Sequence, residues 1–232
     1  MNEKSLILMT TELPDDWVGD HLQSYHVILS DGTKKGITGD LRKHLKEASG
    51  IFCLLDDPIP ADILHNAPKL KVISNMAVGV DNIDLETCTR LGIPVGHTPG
   101  VLTDGTADLT LALLLSVARQ LPAASEDARE GRWAGWNPLG WLGTDLKDAT
   151  VGIIGLGKIG YAVAQRLTGF GSRVIFTSKH PKPEQAAKLN AQQVSLEELL
   201  QTSDFICLHT SLTEETQGMI DHSAFKIMKK TV

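Results

Sequence analysis

Ten residues constrain this chain more than any others: VGIIGLGKIG, Val151 to Gly160. A strand-like run, TVGIIG, leads into Gly155-x-Gly157-x-x-Gly160. A helical pattern, IGYAVAQRLTGFG, comes next and is closed by Gly171. A bare glycine triplet says little, but one that succeeds a strand and opens a helix is the fingerprint of a dinucleotide-binding βαβ unit. The first glycine permits the tight turn. The second lets a diphosphate approach the backbone, and the third lets helix and strand pack closely. The N–H groups at the helix start, around Lys158, Ile159 and Gly160, face the phosphates with the helix dipole behind them. The alternative is a plain glycine-rich turn that holds nothing.

The segments on either side alternate strand and helix patterns. In the first hundred residues SLILM, YHVIL, IFCLL, LKVISN and IPVGH read as strands. PDDWVGDHLQ, TGDLRKHLKEA, PADILHNA and DLETCTRLG read as helices, with Thr38 a possible cap, Pro60 near a helix start and Gly92 a stop. From Thr150 a second series begins. RVIF, QQV and DFICLH are its next strands, and Thr231–Val232 the start of a fifth. Repeated strand–helix units imply parallel sheets with helices on both faces. Between the two series, Thr103 or Asp104 can cap a helix whose centre, LTLALLLSVA, is apolar nearly all round. Such a helix is buried, as one between domains would be. The Gly- and Trp-rich connection after it is long, and long loops in compact proteins tend to be functional.

The loop after the second strand of that series selects the nucleotide. Sites for NAD carry an acid about 20 residues past the glycines, bonded to the ribose 2′-hydroxyl. Here the stretch is RVIFTSKHPKP, with no acid between Asp148 and Glu184 and with Thr177, Ser178 and Lys179 in the acid's place. A hydroxyl and an ammonium bind a 2′-phosphate that a carboxylate would repel, so the loop favours NADPH over NADH. A solvated basic loop without a role is the alternative.

Composition excludes several classes. The chain has 232 residues, and 42% are hydrophobic, which is enough for buried cores. A net charge of −6 without a basic cluster argues against nucleic acid. The apolar run of the first 17 residues is too short for a signal or a membrane span, and the ten-residue run near position 110 reads as a buried helix. Cys53, Cys88 and Cys207 show neither metal spacing nor a disulfide framework, so no metal site is expected and a cytoplasmic location is. His97 and His209 sit at strand ends and read as structural or cofactor-contacting groups rather than as acid–base catalysts.

Five stretches together resemble the D-isomer-specific 2-hydroxyacid dehydrogenases, within them the branch that reduces glyoxylate and hydroxypyruvate. They are SNMAVGVDNID (74–84), GIPVGHTPGVLTDGTADLTLALLLSVAR (92–119), GRWAGWNPL (131–139), GLGKIG (155–160) and LHTSLTEET (208–216). The resemblance implies an α/β chain of two domains. A flavodoxin-like substrate domain spans 1–98 and lacks its C-terminal closing segment. A Rossmann NAD(P)-binding domain spans 99–232, incomplete at the fifth strand, with a dimerisation helix and loop at 100–145. The active site is implied to lie in the cleft between them, in a homodimer. By the same resemblance the backbone of Val78 and Gly79 holds the substrate carboxylate. Thr106 lies near the nicotinamide, and Trp141 from the partner lines the substrate pocket. Packing is the alternative for that tryptophan and the favoured reading for Trp133 and Trp136. Ser211, on the cofactor side, stands where many relatives have proline. The implied reaction is NADPH-dependent reduction of a small 2-oxo acid to the D-2-hydroxy acid. The family's catalytic arginine, glutamate and histidine are expected after Val232, which leaves this chain inactive alone. Two other readings stand beside it: a non-catalytic NADP(H)-binding module, and a branch acting on phosphoglycerate, formate or phosphite.

Overall fold

The computed structural model describes residues 4–32 and 34–230. The chain divides into two compact units, residues 1–100 and 101–232. In the first, β1 (Leu6–Met9), β2 (His26–Leu29), β3 (Ala48–Leu54), β4 (Val72–Met76) and β5 (Val95–Gly96) form one sheet. The order is β2-β1-β3-β4-β5 and every pairing is parallel, which is the flavodoxin-like arrangement. Helices α1 (Asp15–Val18), α2 (Gly39–Lys43), α3 (Ala61–His65) and α4 (Leu85–Leu91) lie in the connections. Leu8, Ile51, Cys53 and Ile73 from the strands pack with Leu41, Leu45, Ile63 and Leu64. Each such side chain contributes roughly 1.5–3 kcal/mol by leaving water.

Helices α1, α2 and α3 of the first unit are shorter than their patterns predict. PDDWVGDHLQ gives only the single turn α1 and a 3-10 segment, Gly19–Ser24. Neither buries a residue, and Trp17 is exposed, so no apolar face holds a longer helix together. Thr38 stands at the cap position of α2 in extended conformation, yet its side chain makes no capping bond. The predicted stop at Gly92 is observed, with a left-handed φ of 69° after α4.

The second unit begins with α5 (Thr103–Ala118) and α6 (Leu121–Arg129), and a connection without helix or strand then runs to β6 (Thr150–Ile154). Next come α7 (Lys158–Thr168), β7 (Arg173–Thr177), α8 (Pro183–Leu189), β8 (Gln192–Gln193), α9 (Leu196–Thr202), β9 (Phe205–Leu208) and α10 (His222–Ile227). The strand order is β8-β7-β6-β9, all parallel, which matches the first four strands of a doubly wound dinucleotide fold. Alternate residues of β6 and β7 feed two cores. Val151, Ile153, Val174 and Phe176 meet α5 and α7, while Ile154 and Ile175 meet Leu199 and Leu200 of α9 and Ala224 of α10. The fifth strand predicted at 231–232 lies outside the described residues.

The helix α5 differs from its prediction in two ways. Leu102, not Thr103 or Asp104, occupies the cap position, and no side chain caps it. Asp104 and Asp108 instead accept from Arg166 of α7, at 3.0 and 2.6 Å, and clamp the two helices. Nor is α5 buried all round. Ala107, Leu111, Leu114 and Ala118 are buried, whereas Leu109, Leu113 and Val117 are exposed within the chain.

Candidate functional site

The β6–α7 turn is built as the glycine spacing requires. Gly155 leaves β6 with φ +96°, and its N–H donates to the Thr177 carbonyl at 2.9 Å. A Cβ added there would lie 2.7 Å from the His209 carbonyl oxygen, so the residue just past β9 closes directly on this glycine. A Cβ on Gly160 would collide with the Gly155 carbonyl. Gly157 is different. It stands at the cap of α7 with φ −78° and ψ −163°, and an added Cβ would meet nothing within 4 Å. No side chain caps this helix. The first N–H groups of α7, at exposed Lys158 and half-buried Ile159, therefore have no capping side chain as acceptor. An uncapped start of an eleven-residue helix beside a cleared backbone suits a diphosphate.

β7 and β9 flank β6 in a parallel sheet, so the ends of all three strands share one edge. The structure thereby brings Ser178 and Lys179, just past β7, and exposed Ser211, past β9, to the edge that carries the glycine turn. Ser178 is half-buried, and its carbonyl accepts from Gln193 Nε2 at 3.2 Å. Lys179 Nζ pairs with Glu215 Oε2 at 2.7 Å, and the ammonium holds that carboxyl below the usual carboxylate range. Glu215 is invisible to a search for an acid near the glycines. Its partner is 36 residues away, and no local spacing marks it. Thr106, half-buried on α5, donates its hydroxyl to the Leu102 carbonyl at 2.8 Å.

The two thiols of these sheets are inert. Burial pushes Cys207 up to about 11, and burial with the nearby Asp57 carboxylate pushes Cys53 up to about 12. Burial moves His209 the other way, since it disfavours the charged imidazolium. His209 Nε2 is buried and has no hydrogen-bond partner among the described residues. Those residues hold no group of three or more His, Cys, Asp or Glu able to take a metal, and no helix long and apolar enough to cross a membrane.

In the first unit Val78 and Gly79 come after β4, at the strand end where open α/β sheets bind ligands. Their N–H groups donate to no acceptor among the described residues. Three side chains fix the loop. Buried Asn75 donates to the Gly79 carbonyl at 3.0 Å and to Asn82 Oδ1 at 3.1 Å. Asn82 in turn donates to the Leu54 and Asp57 carbonyls at 3.0 and 2.9 Å. His97 Nδ1 lies 2.9 Å from the Val78 carbonyl, which makes Nδ1 the protonated nitrogen. A polar side chain at an inward position of an apolar strand is the signal in the sequence that marks Asn75. Trp141 belongs to the 130–149 connection, with φ +54° and 40% exposure. Trp133 and Trp136 are more exposed still.

A parallel sheet in this order, with a cleared glycine turn at the head of β6, defines a dinucleotide-binding protein. The chain belongs to the D-isomer specific 2-hydroxyacid dehydrogenases, for residues 111–232 match that family's NAD binding domain. It is 43% identical over 230 residues to a glyoxylate reductase of Thermococcus litoralis, covering 97% of this chain and 70% of that one. With the human glyoxylate reductase/hydroxypyruvate reductase it shares 46% identity over 194 residues, 83% of this chain and 59% of the other. Among solved structures it is similar to the D-lactate dehydrogenase of Aquifex aeolicus complexed with NAD and lactic acid. The TM-score there is 0.87 at 27% identity, over 97% of this chain and 66% of that one.

Proposed function

We propose that this chain binds NADPH in preference to NADH and serves the reduction of a small 2-oxo acid, glyoxylate or hydroxypyruvate, to the D-2-hydroxy acid. The observation that carries the reading is the Gly155–Gly157–Gly160 turn, cleared for a diphosphate at an uncapped helix start. The names of the relatives support the substrate class. A bound nicotinamide supplies the hydride. Lys158, Ile159 and Gly160 offer N–H groups to the diphosphate, while Ser178, Lys179 and Ser211 lie along the same edge toward the adenosine half. Thr106 borders the nicotinamide, and the free Val78 and Gly79 N–H groups take the substrate carboxylate, held in place by Asn75, Asn82 and His97.

Lys179→Ala tests the cofactor preference. NADPH affinity falls about tenfold, about 1.4 kcal/mol, because one charge-assisted contact to the 2′-phosphate is lost. NADH affinity stays within twofold in the same fluorescence titration. Equal losses for the two nucleotides would overturn the preference.

The same reading makes the chain a homodimer through residues 100–145, with Trp141 reaching the partner's substrate. Leu109, Leu113 and Val117 recur every four residues along α5 and are 59, 59 and 72% exposed, a continuous apolar stripe. Leu113→Asp is expected to halve the mass seen by sedimentation velocity at micromolar concentration. A parent chain that already sediments as a monomer would remove this part of the proposal.

A further inference from the structure

The Lys179–Glu215 pair joins the loop after β7 to the connection after β9, and β6 lies between those two strands. The pair therefore spans the sheet edge at the end of β6, where the glycine turn begins. Glu215 is not a loose side chain on a free loop. The backbone around it is stapled by hydroxyls. Thr213 N–H donates to Thr216 Oγ1 at 2.8 Å, Thr216 N–H donates to Thr213 Oγ1 at 3.3 Å, and Thr216 Oγ1 donates to the Ser211 carbonyl at 2.6 Å. The carboxylate is thus presented to Lys179 by an ordered turn.

We propose that Glu215 determines cofactor specificity. Its carboxylate takes the Lys179 ammonium that the 2′-phosphate of NADP(H) requires, and so holds NADP(H) affinity below what the cationic loop alone would give. The inference rests on reading Ser178–Lys179 as the 2′-phosphate site. NADP(H) must exchange the Glu215 contact for its own. NAD(H), with a hydroxyl at the same carbon, makes no claim on Lys179 and leaves the pair intact. An exposed carboxylate is ionised throughout the neutral range, and the Lys179 contact moves its titration further down, so the competition is present wherever the nucleotide binds.

The test is a double-mutant cycle on the intact chain, with Kd for NADPH and NADH measured by fluorescence titration at low and high salt. Both side chains are about 70% exposed, so the variants keep the fold, which thermal unfolding checks. Glu215→Gln is expected to tighten NADPH about three- to tenfold and to leave NADH within twofold, with a smaller gain at high salt. In a Lys179→Ala background the gain disappears. If Glu215→Gln shifts NADPH by less than twofold while Lys179→Ala weakens it selectively, the competition is wrong and the phosphate site stands. A gain that persists without Lys179 also overturns the competition, since the carboxylate then acts by direct repulsion. If Lys179→Ala weakens neither nucleotide selectively, the phosphate site itself falls, and this inference with it.

Discussion

Gly157→Ala is expected to fold as stably as the parent and to lose dinucleotide affinity on the order of a hundredfold, about 2.7 kcal/mol. The reason lies in what the added methyl meets. At position 157 it meets no protein atom within 4 Å, and φ −78° with ψ −163° is open to any residue. The methyl instead fills the space over which a diphosphate reaches the N–H groups of α7. Gly155→Val fails for the opposite reason. Its φ of +96° excludes a β-branched side chain, and the Cβ alone would sit 2.7 Å from the His209 carbonyl. Left-handed strain and the collision together cost about 3–5 kcal/mol, a large share of the roughly 5–15 kcal/mol that holds a domain folded. Urea unfolding separates the two variants, and titration with NADPH measures the binding loss. A Gly157→Ala chain that binds either nucleotide as the parent does would show that no diphosphate lies on this turn.

That contrast was half legible in the sequence. The spacing of Gly155, Gly157 and Gly160 says which glycine serves the turn, the ligand and the packing, because each role is local to a strand–turn–helix unit. The parallel order of both sheets was legible too, since strand and helix patterns alternate without a break from Ser5 to Leu91 and again from Thr150. Contacts between segments far apart in the chain were not. Nothing near Lys179 announces Glu215, and nothing near Asp104 announces Arg166, which turns an expected cap into an ion pair between helices. The apolar circumference of α5 misled for a related reason. Hydropathy reports that a face wants cover, not whether the same chain supplies it. Here α7 covers the side bearing Ala107, Leu111 and Leu114, and Leu109, Leu113 and Val117 stay exposed.

Asp57→Ala is the second change with a large expected effect. Asp57 is 4% exposed, and its carboxylate accepts from the Gly36 N–H at 2.7 Å, from the Leu54 N–H at 2.8 Å and from the Thr10 hydroxyl. Alanine strands two backbone donors and a hydroxyl away from water, at a cost of about 3–5 kcal/mol for the group. Asparagine recovers only part of this. Its amide has one acceptor oxygen, and its NH2 would face one of the donors that the second carboxylate oxygen now satisfies. The loss does not stay local. The Asp57 carbonyl anchors Asn82, Asn82 anchors Asn75, and Asn75 holds the Gly79 carbonyl. Denaturant unfolding is expected to show a lower midpoint for Asp57→Ala than for Asp57→Asn. Native-state hydrogen exchange is expected to show faster exchange around residues 77–83 in both. Unchanged exchange there, alongside a lowered midpoint, would mean that the β4 loop keeps its shape without this network. Val78 and Gly79 would then owe their exposed N–H groups to the backbone turn alone, and a carboxylate bound on them would be insensitive to Asn75 and Asn82.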